Sequence, residues 1–83
     1  MKVLYFARFR QLIGRGHDDI ETPPNVLTVS DLIAHLAAHD VGCAAAFQNL
    51  KTVKAAVDQQ HVSLDHSISS AKEVAFFPPV TGG

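Results

Sequence analysis

The feature that most constrains this fold is a single amphipathic helix beginning near Thr28, in a chain whose other segments look like strands. Thr28 or Ser30 can cap the helix, and Asp31 favours the positive end of the helix dipole. Apolar residues follow at helical spacing: Leu32, Ile33, Leu36 and Ala37. Because one helix with one apolar stripe must bury that stripe against something, the remaining segments have to supply a sheet.

Five segments have the β-branched and aromatic composition of strands. They are Lys2–Phe9, Asp19–Thr22, Thr52–Val57, His61–Leu64 and Glu73–Phe77. Gln11–Gly14 is predicted as a short helical turn, and further helical content is predicted in Cys43–Leu50. The simplest arrangement packs the main helix across one face of a mixed sheet whose first and last strands are central neighbours. The order therefore predicts an α+β fold of the β-grasp type, the arrangement that ubiquitin also uses.

Composition excludes several classes of protein. A chain of 83 residues forms one domain, and its 7 basic and 8 acidic residues give no electrostatic footprint for nucleic acid. Its apolar stretches are too short to cross a membrane. Arg8 and Arg10 interrupt the apolar start before it resembles a signal peptide, and Cys43 has no second cysteine to pair with. We therefore predict a cytoplasmic protein that contacts neither nucleic acid nor membrane.

The end of the chain is predicted to be its working part. Gly82 and Gly83 follow Pro78-Pro79-Val80-Thr81. The prolines cannot continue a sheet, and the glycines fit a slot too narrow for other residues. We predict a folded domain over residues 1–77 and an extended, flexible tail over residues 78–83, long enough to reach about 20 Å.

Other candidate residues surround the base of the tail. Because neighbours in a strand alternate between faces, one of Phe76 and Phe77 should point outward; we predict Phe77, with Phe6 extending the same patch. Arg10 is a candidate for pairing with acidic groups of a partner. His35 and His39 have a spacing that can chelate a metal, but without a third ligand we predict a solvated helix face and no metal site. We predict that Cys43 packs in the interior.

The chain resembles the small, sulfur-carrier subunits of molybdopterin synthase. The resemblance is carried by Glu73–Gly83, by Lys2–Ala7 with Arg10 and Leu12, by Thr28-Val29, and by Ala55–Gln59 with Val62-Ser63. The whole run up to the terminal Gly82-Gly83 is far more specific than two glycines alone. Together these segments cover most of the domain.

This resemblance implies a function for the terminal carboxylate. An ATP-dependent enzyme would adenylate Gly83, and a sulfur donor protein would convert it to a thiocarboxylate. The tail would then enter the large, catalytic subunit and give sulfur to cyclic pyranopterin monophosphate, within a heterotetramer. The chain would bind no cofactor and would not be an enzyme on its own, since no nucleophile–base pair or phosphate loop is recognisable. Phe6, Arg10 and the segment Phe77–Thr81 would contact the partners.

Two alternatives share the fold: a protein modifier joined to lysines of its targets, and the sulfur carrier of the thiamine pathway. The sequence Phe76–Thr81 favours molybdopterin synthase over both. Three segments depart from the family pattern: the loop His17–Asp19 has no distinctive match, and the other two could change docking. His61 stands where relatives often carry an apolar residue, and the loop Ser69–Lys72 lacks the usual Gly-Asp before the last strand.

Overall fold

A computed structural model describes residues 1–79. Its strands are β1 (Lys2–Tyr5), β2 (His17–Asp19), β3 (Lys54–Val57), β4 (Gln60–Val62) and β5 (Glu73–Phe77), and its helices are α1 (Arg8–Ile13), α2 (Val29–His39) and α3 (Val41–Ala46), with a 3-10 turn at Leu50–Thr52. The strands form one mixed sheet in the order β2-β1-β5-β3-β4. The α+β, β-grasp prediction is confirmed.

The last strand lies at the centre of the sheet. It pairs in parallel with β1, from Lys2 opposite Glu73 to Tyr5 opposite Phe76, and antiparallel with β3 on its other side. The prediction that the first and last strands are central neighbours is therefore confirmed. The pairing with β1 reaches Phe76 and the pairing with β3 reaches Phe77, so the base of the tail starts from a firmly bonded position.

Helix α2 begins where its capping residues predict. The Thr28 hydroxyl accepts a hydrogen bond from the Asp31 amide at 3.1 Å, and the Asp31 carboxylate accepts one from the Thr28 amide at 3.2 Å. This capping box satisfies two amides that the first helical turn leaves unpaired. The buried stripe of the helix consists of Val29, Leu32, Ile33 and Leu36.

The core lies between α2 and one face of the sheet, and an aromatic cluster extends it under α1 and α3. The Phe47 ring stacks on Phe9 at 5.6 Å between centroids and meets Phe76 edge-on at 4.9 Å. All three rings are buried. The cluster thus joins the two short helices to the central strand.

The predicted first strand was wrong beyond Tyr5. Ala7 has a φ of 53°, which turns the chain, and Phe9 reaches the core from helix α1 rather than from a strand. An alternating apolar pattern that runs into a short helix gives no local sign of the change, because Phe9 is buried in either case. Gly14 ends α1 in the left-handed conformation at φ 84°, as predicted.

The second strand was also misplaced, since it covers His17–Asp19 instead of Asp19–Thr22. An edge strand forms only where its neighbour offers free backbone groups, and β1 offers them from Lys2 to Leu4. Pairing therefore overrode the strand propensity of Ile20 and Thr22. The remaining elements match their predictions to within a few residues, and β5 matches in full.

Candidate functional site: the open sheet face and the base of the tail

The end of β5 separates two neighbouring phenylalanines onto opposite faces of the sheet. Phe76 is fully buried against the core, whereas Phe77 is only partly buried. The outward orientation predicted for Phe77 is confirmed. Pro78 and Pro79 follow and are also partly buried, while Val80, Thr81, Gly82 and Gly83 lie outside the described residues. The extended, flexible conformation predicted for the tail beyond Pro79 therefore stays a prediction.

An apolar patch lies at the centre of the sheet face that α2 leaves free, which we call the open face. Sheet pairing gives its members the same side: Leu4 is opposite Ala75, and Ala56 is on the other flank of Ala75. Phe6 follows β1, and its amide donates to the Phe76 carbonyl at 3.0 Å, which sets it beside Phe77. Phe6 remains 48% exposed. A partly exposed apolar patch of this kind is suited to docking a partner.

Two polar side chains border this patch on the β3–β4 side. Lys54 is directly opposite Phe77 in the antiparallel pair, so both side chains emerge on the open face. The His61 ring on β4 leans across β3 to within 4.9 Å of the Phe77 ring centre. Ala56 lies on β3 between the strands that carry these two rings, and its small side chain leaves room for their contact. The shared parity of Lys54 and Ala56 along β3 is the sequence signal that could have placed Lys54 on this face.

The two arginines near the tail behave differently. The Arg8 guanidinium lies 4.4 Å from the centre of the Phe9 ring and donates to the Thr52 carbonyl at 2.9 Å and to its hydroxyl. It ties α1 to the start of β3. Arg10 is exposed, and its guanidinium lies near the backbone of Gly16. The docking role predicted for Arg10 stays a prediction.

A polar network closes the opposite side of the domain. Arg15 bridges Asp18 at 2.7 Å and Asp40 at 2.8 Å, and the Tyr5 hydroxyl donates to Asp18 at 2.9 Å. The hydrogen bond from Arg15 is the main cause that lowers the pKa of the Asp18 carboxyl. Burial raises the pKa of Tyr5 well above its usual range. These groups hold β1, β2 and α3 together.

Cys43 belongs to the interior, as predicted. Its side chain is fully buried, and burial raises the pKa of its thiol to about 11. A thiol in this state carries almost no thiolate at neutral pH, and thiolate is the reactive form. Sulfur chemistry on Cys43 therefore has no support from its surroundings.

The paired histidines of α2 contact each other. The rings of His35 and His39 lie 4.4 Å apart between centres, and a ring nitrogen of His39 is 2.8 Å from the His35 carbonyl. Within residues 1–79, no group of three or more His, Cys, Asp or Glu side chains is arranged to hold a metal ion. In the same range, no helix has both the length and the apolar character needed to span a membrane.

The loop Ser69–Lys72 precedes β5 and so lies at the end of that strand opposite to the tail. Asp58, in the β3–β4 turn, accepts backbone hydrogen bonds from Lys72 at 2.9 Å and Glu73 at 3.0 Å. Of the two departures noted from the family pattern, only His61 therefore reaches the apolar patch beside Phe77.

Known proteins resemble the chain over its whole length. The profile of the ThiS family matches residues 3–83. The chain is 46% identical to the molybdopterin synthase sulfur carrier subunit of Escherichia coli, over 100% of this chain and 99% of that protein. The structure of a Pyrococcus furiosus protein described as molybdopterin converting factor subunit 1 is 34% identical, with a TM-score of 0.72 over 95% of each chain.

A further solved structure, the small archaeal modifier protein 1 of H. volcanii, is 19% identical, with a TM-score of 0.69 over 95% of each chain. At that identity the likeness concerns the fold alone. The family profile and the E. coli protein instead match by sequence through the C-terminal residues, and they confirm the resemblance found in Glu73–Gly83. The chain therefore belongs to the ThiS family, and a sulfur carrier subunit of molybdopterin synthase is among its relatives.

Proposed function

We propose that this chain is the sulfur carrier subunit of a molybdopterin synthase and acts in molybdenum cofactor biosynthesis. The observation that carries the proposal is the match to the E. coli sulfur carrier subunit at 46% identity over all of this chain. The fold supports it, because β5 delivers Phe77 and the two prolines to the edge of an open apolar face, and the tail continues from there.

In this proposal the carboxylate of Gly83 carries the sulfur. A free carboxylate is ionised at neutral pH and does not accept a nucleophile, so it must first be activated. An activating enzyme uses ATP to form an acyl-adenylate and releases pyrophosphate. Hydrosulfide-level sulfur supplied by a sulfur donor protein then attacks the carbonyl carbon and displaces AMP, which leaves a thiocarboxylate. Gly82 and Gly83 lack side chains, which allows the tail to thread a narrow channel. The chain itself binds no cofactor and no metal.

The catalytic groups are supplied by the partner. The large subunit receives the loaded tail and transfers its sulfur to cyclic pyranopterin monophosphate, in a heterotetramer of two small and two large subunits. The open face around Phe6 and Phe77 docks against this subunit, with Pro78, Pro79, Val80 and Thr81 along the entry to its active site. Arg10 contributes to the rim of the interface.

Mass spectrometry of the intact protein from its native cell tests the proposal. A fraction of the protein should carry the mass gain of one oxygen replaced by sulfur, located at Gly83 by fragmentation. A covalent link from Gly83 to lysines of other proteins, without that mass gain, would instead identify a protein modifier.

Reconstitution gives a second test. The Gly83 deletion should fold like the wild type but form no molybdopterin with the large subunit and the activating system. Formation of molybdopterin by the deletion variant would refute the carrier mechanism. If the wild type gave its sulfur to the thiamine pathway and formed no molybdopterin, the chain would be the sulfur carrier of that pathway.

A further inference from the structure

The open face is apolar in its centre but not on its β3–β4 side. Lys54 emerges directly opposite Phe77, and the His61 ring covers the outer flank of Phe77 at 4.9 Å. Both side chains are exposed. A partner that covers Phe77 will therefore also cover an ammonium group and an imidazole, and both groups donate hydrogen bonds.

Basic side chains line the β1 and β3 sides of this edge, whereas on the β4 side Asp65 accepts a hydrogen bond from the Ser63 hydroxyl. Arg8 is held at Thr52, and Lys51 is exposed in the 3-10 turn that leads into β3. No Asp or Glu occurs in residues 1–17 or in residues 41–57, the two segments that frame Phe77. Within residues 1–79 both ion pairs are formed by Arg15, on the other side of the domain. Lys54 thus has no carboxylate partner among the described residues.

Covering a lysine without a partner is costly, because the ammonium group loses its water. Against an apolar partner surface nothing offsets this cost. A carboxylate placed opposite Lys54 offsets it with a charge-assisted hydrogen bond. The imidazole of His61 can donate to the same carboxylate or to its neighbour. The geometry therefore selects for an acidic docking surface.

We propose that Lys54 and His61 form, beside Phe77, a recognition site for a carboxylate of the large subunit, and that this site sets which large subunit the carrier accepts. The inference rests on the proposed function, since it requires docking at the open face. It deepens that function by giving the partner surface a charge. A large subunit with an apolar surface at this position would be rejected, because specificity arises as much from unpaired charges as from attractive contacts.

Charge reversal at Lys54 tests the site. Lys54→Glu should slow association with the purified large subunit of the same organism by about tenfold or more at low salt, since like charges would then face each other. Lys54→Gln should give a smaller loss and a weaker dependence on salt. Lys72→Glu and Lys72→Gln are matched controls, because Lys72 is an exposed lysine at the opposite end of β5; they should change the rate by no more than about twofold. Stopped-flow association at several salt concentrations measures all of these.

A second arm identifies the carboxylate. Acidic residues on the surface of the large subunit are replaced by lysine one at a time. Replacement of the one that faces Lys54 should restore association with Lys54→Glu and slow it with the wild type. His61→Leu should weaken binding to the native large subunit and strengthen binding to the large subunit in which that acidic residue has been replaced. Thermal melts of each carrier variant show that the fold is intact.

The outcomes separate the inference from the function on which it rests. If the wild-type carrier binds and supports molybdopterin formation, but Lys54→Glu associates as fast as the wild type or slows no more than Lys72→Glu, the recognition site is refuted and the carrier function stands. If the wild type binds no large subunit and forms no molybdopterin, the carrier function fails, and the recognition site fails with it.

Discussion

The neighbouring residues Phe76 and Phe77 allow one prediction to separate folding from docking. Phe76→Ala and Phe77→Ala remove the same ring one residue apart in the same strand. The first removes a fully buried ring from the core, and the second removes a partly exposed ring from the open face. The two variants should therefore have opposite effects on stability and on partner binding.

The magnitude for Phe76 follows from its burial. The ring is 0% exposed and meets Phe47 edge-on at 4.9 Å. Truncation of such a phenylalanine costs about 3–5 kcal/mol of unfolding free energy, from lost burial and the cavity left behind. A domain of this size has about 4–12 kcal/mol in total. Since 1 kcal/mol shifts the melting temperature by about 4–8 °C, Phe76→Ala should lower it by about 15 °C or more.

Phe77→Ala should cost less unfolding free energy than Phe76→Ala but more binding free energy with the large subunit. In the folded monomer the Phe77 ring is partly exposed and contacts the His61 ring, so its truncation should lower the melting temperature by no more than about 5 °C. An aromatic anchor at the centre of an interface contributes about 2 kcal/mol or more, which corresponds to about a thirtyfold weaker dissociation constant. Urea unfolding and titration calorimetry with the large subunit measure the two quantities.

The reverse pattern would refute a docking role for the open face. If Phe77→Ala lost most of its stability while a folded Phe76→Ala bound the large subunit poorly, the open face would not be the docking surface. If Phe77→Ala bound with unchanged affinity and an intact fold, docking would have to use another face. Calorimetry on Phe76→Ala is done below its melting temperature, so that only folded protein is compared.

Three further predictions concern the body of the domain. Because the bond from Arg15 lowers the pKa of Asp18, its ionised form adds stability above the unfolded pKa of about 4 and loses it as the pH falls through the folded value. Asp18→Asn should thus be less stable than the wild type at pH 7 in urea melts, and the difference should shrink below about pH 4; a constant difference would contradict this. Gln59 has a φ of 72° in the β3–β4 turn, so Gln59→Gly should raise the unfolding free energy by about 0.5 kcal/mol, and a loss would show that the turn is unstrained. Cys43→Ala should keep full sulfur transfer in reconstitution while costing about 1 kcal/mol of stability; a folded variant without transfer would bring Cys43 into the sulfur relay.

Local patterns predicted the elements whose signals are contained in a few neighbouring residues. The candidate caps Thr28 and Ser30 placed the start of α2 to within two residues, Gly14 placed the end of α1, and the run Glu73–Phe77 placed β5. Local patterns failed where contacts with a distant segment of the chain decide the structure. The edge strand β2 follows the free backbone groups of β1, and the turn at Ala7 moves Phe9 from a strand to a helix with no change in its burial.

The sequence by itself determined the family, the topology and the proposed sulfur-bearing end, because these depend on a motif read in order along the chain. The sequence also predicted a patch of Phe6 and Phe77 beside that end, and tertiary structure alone added Lys54 and His61 to it. Phe6, Lys54, His61 and Phe77 come from four separate segments, and only the register of the sheet brings them to one face. Side-chain alternation predicts which residues of a single strand share a side, but the offset between strands is set by long-range pairing and by burial of the opposite face.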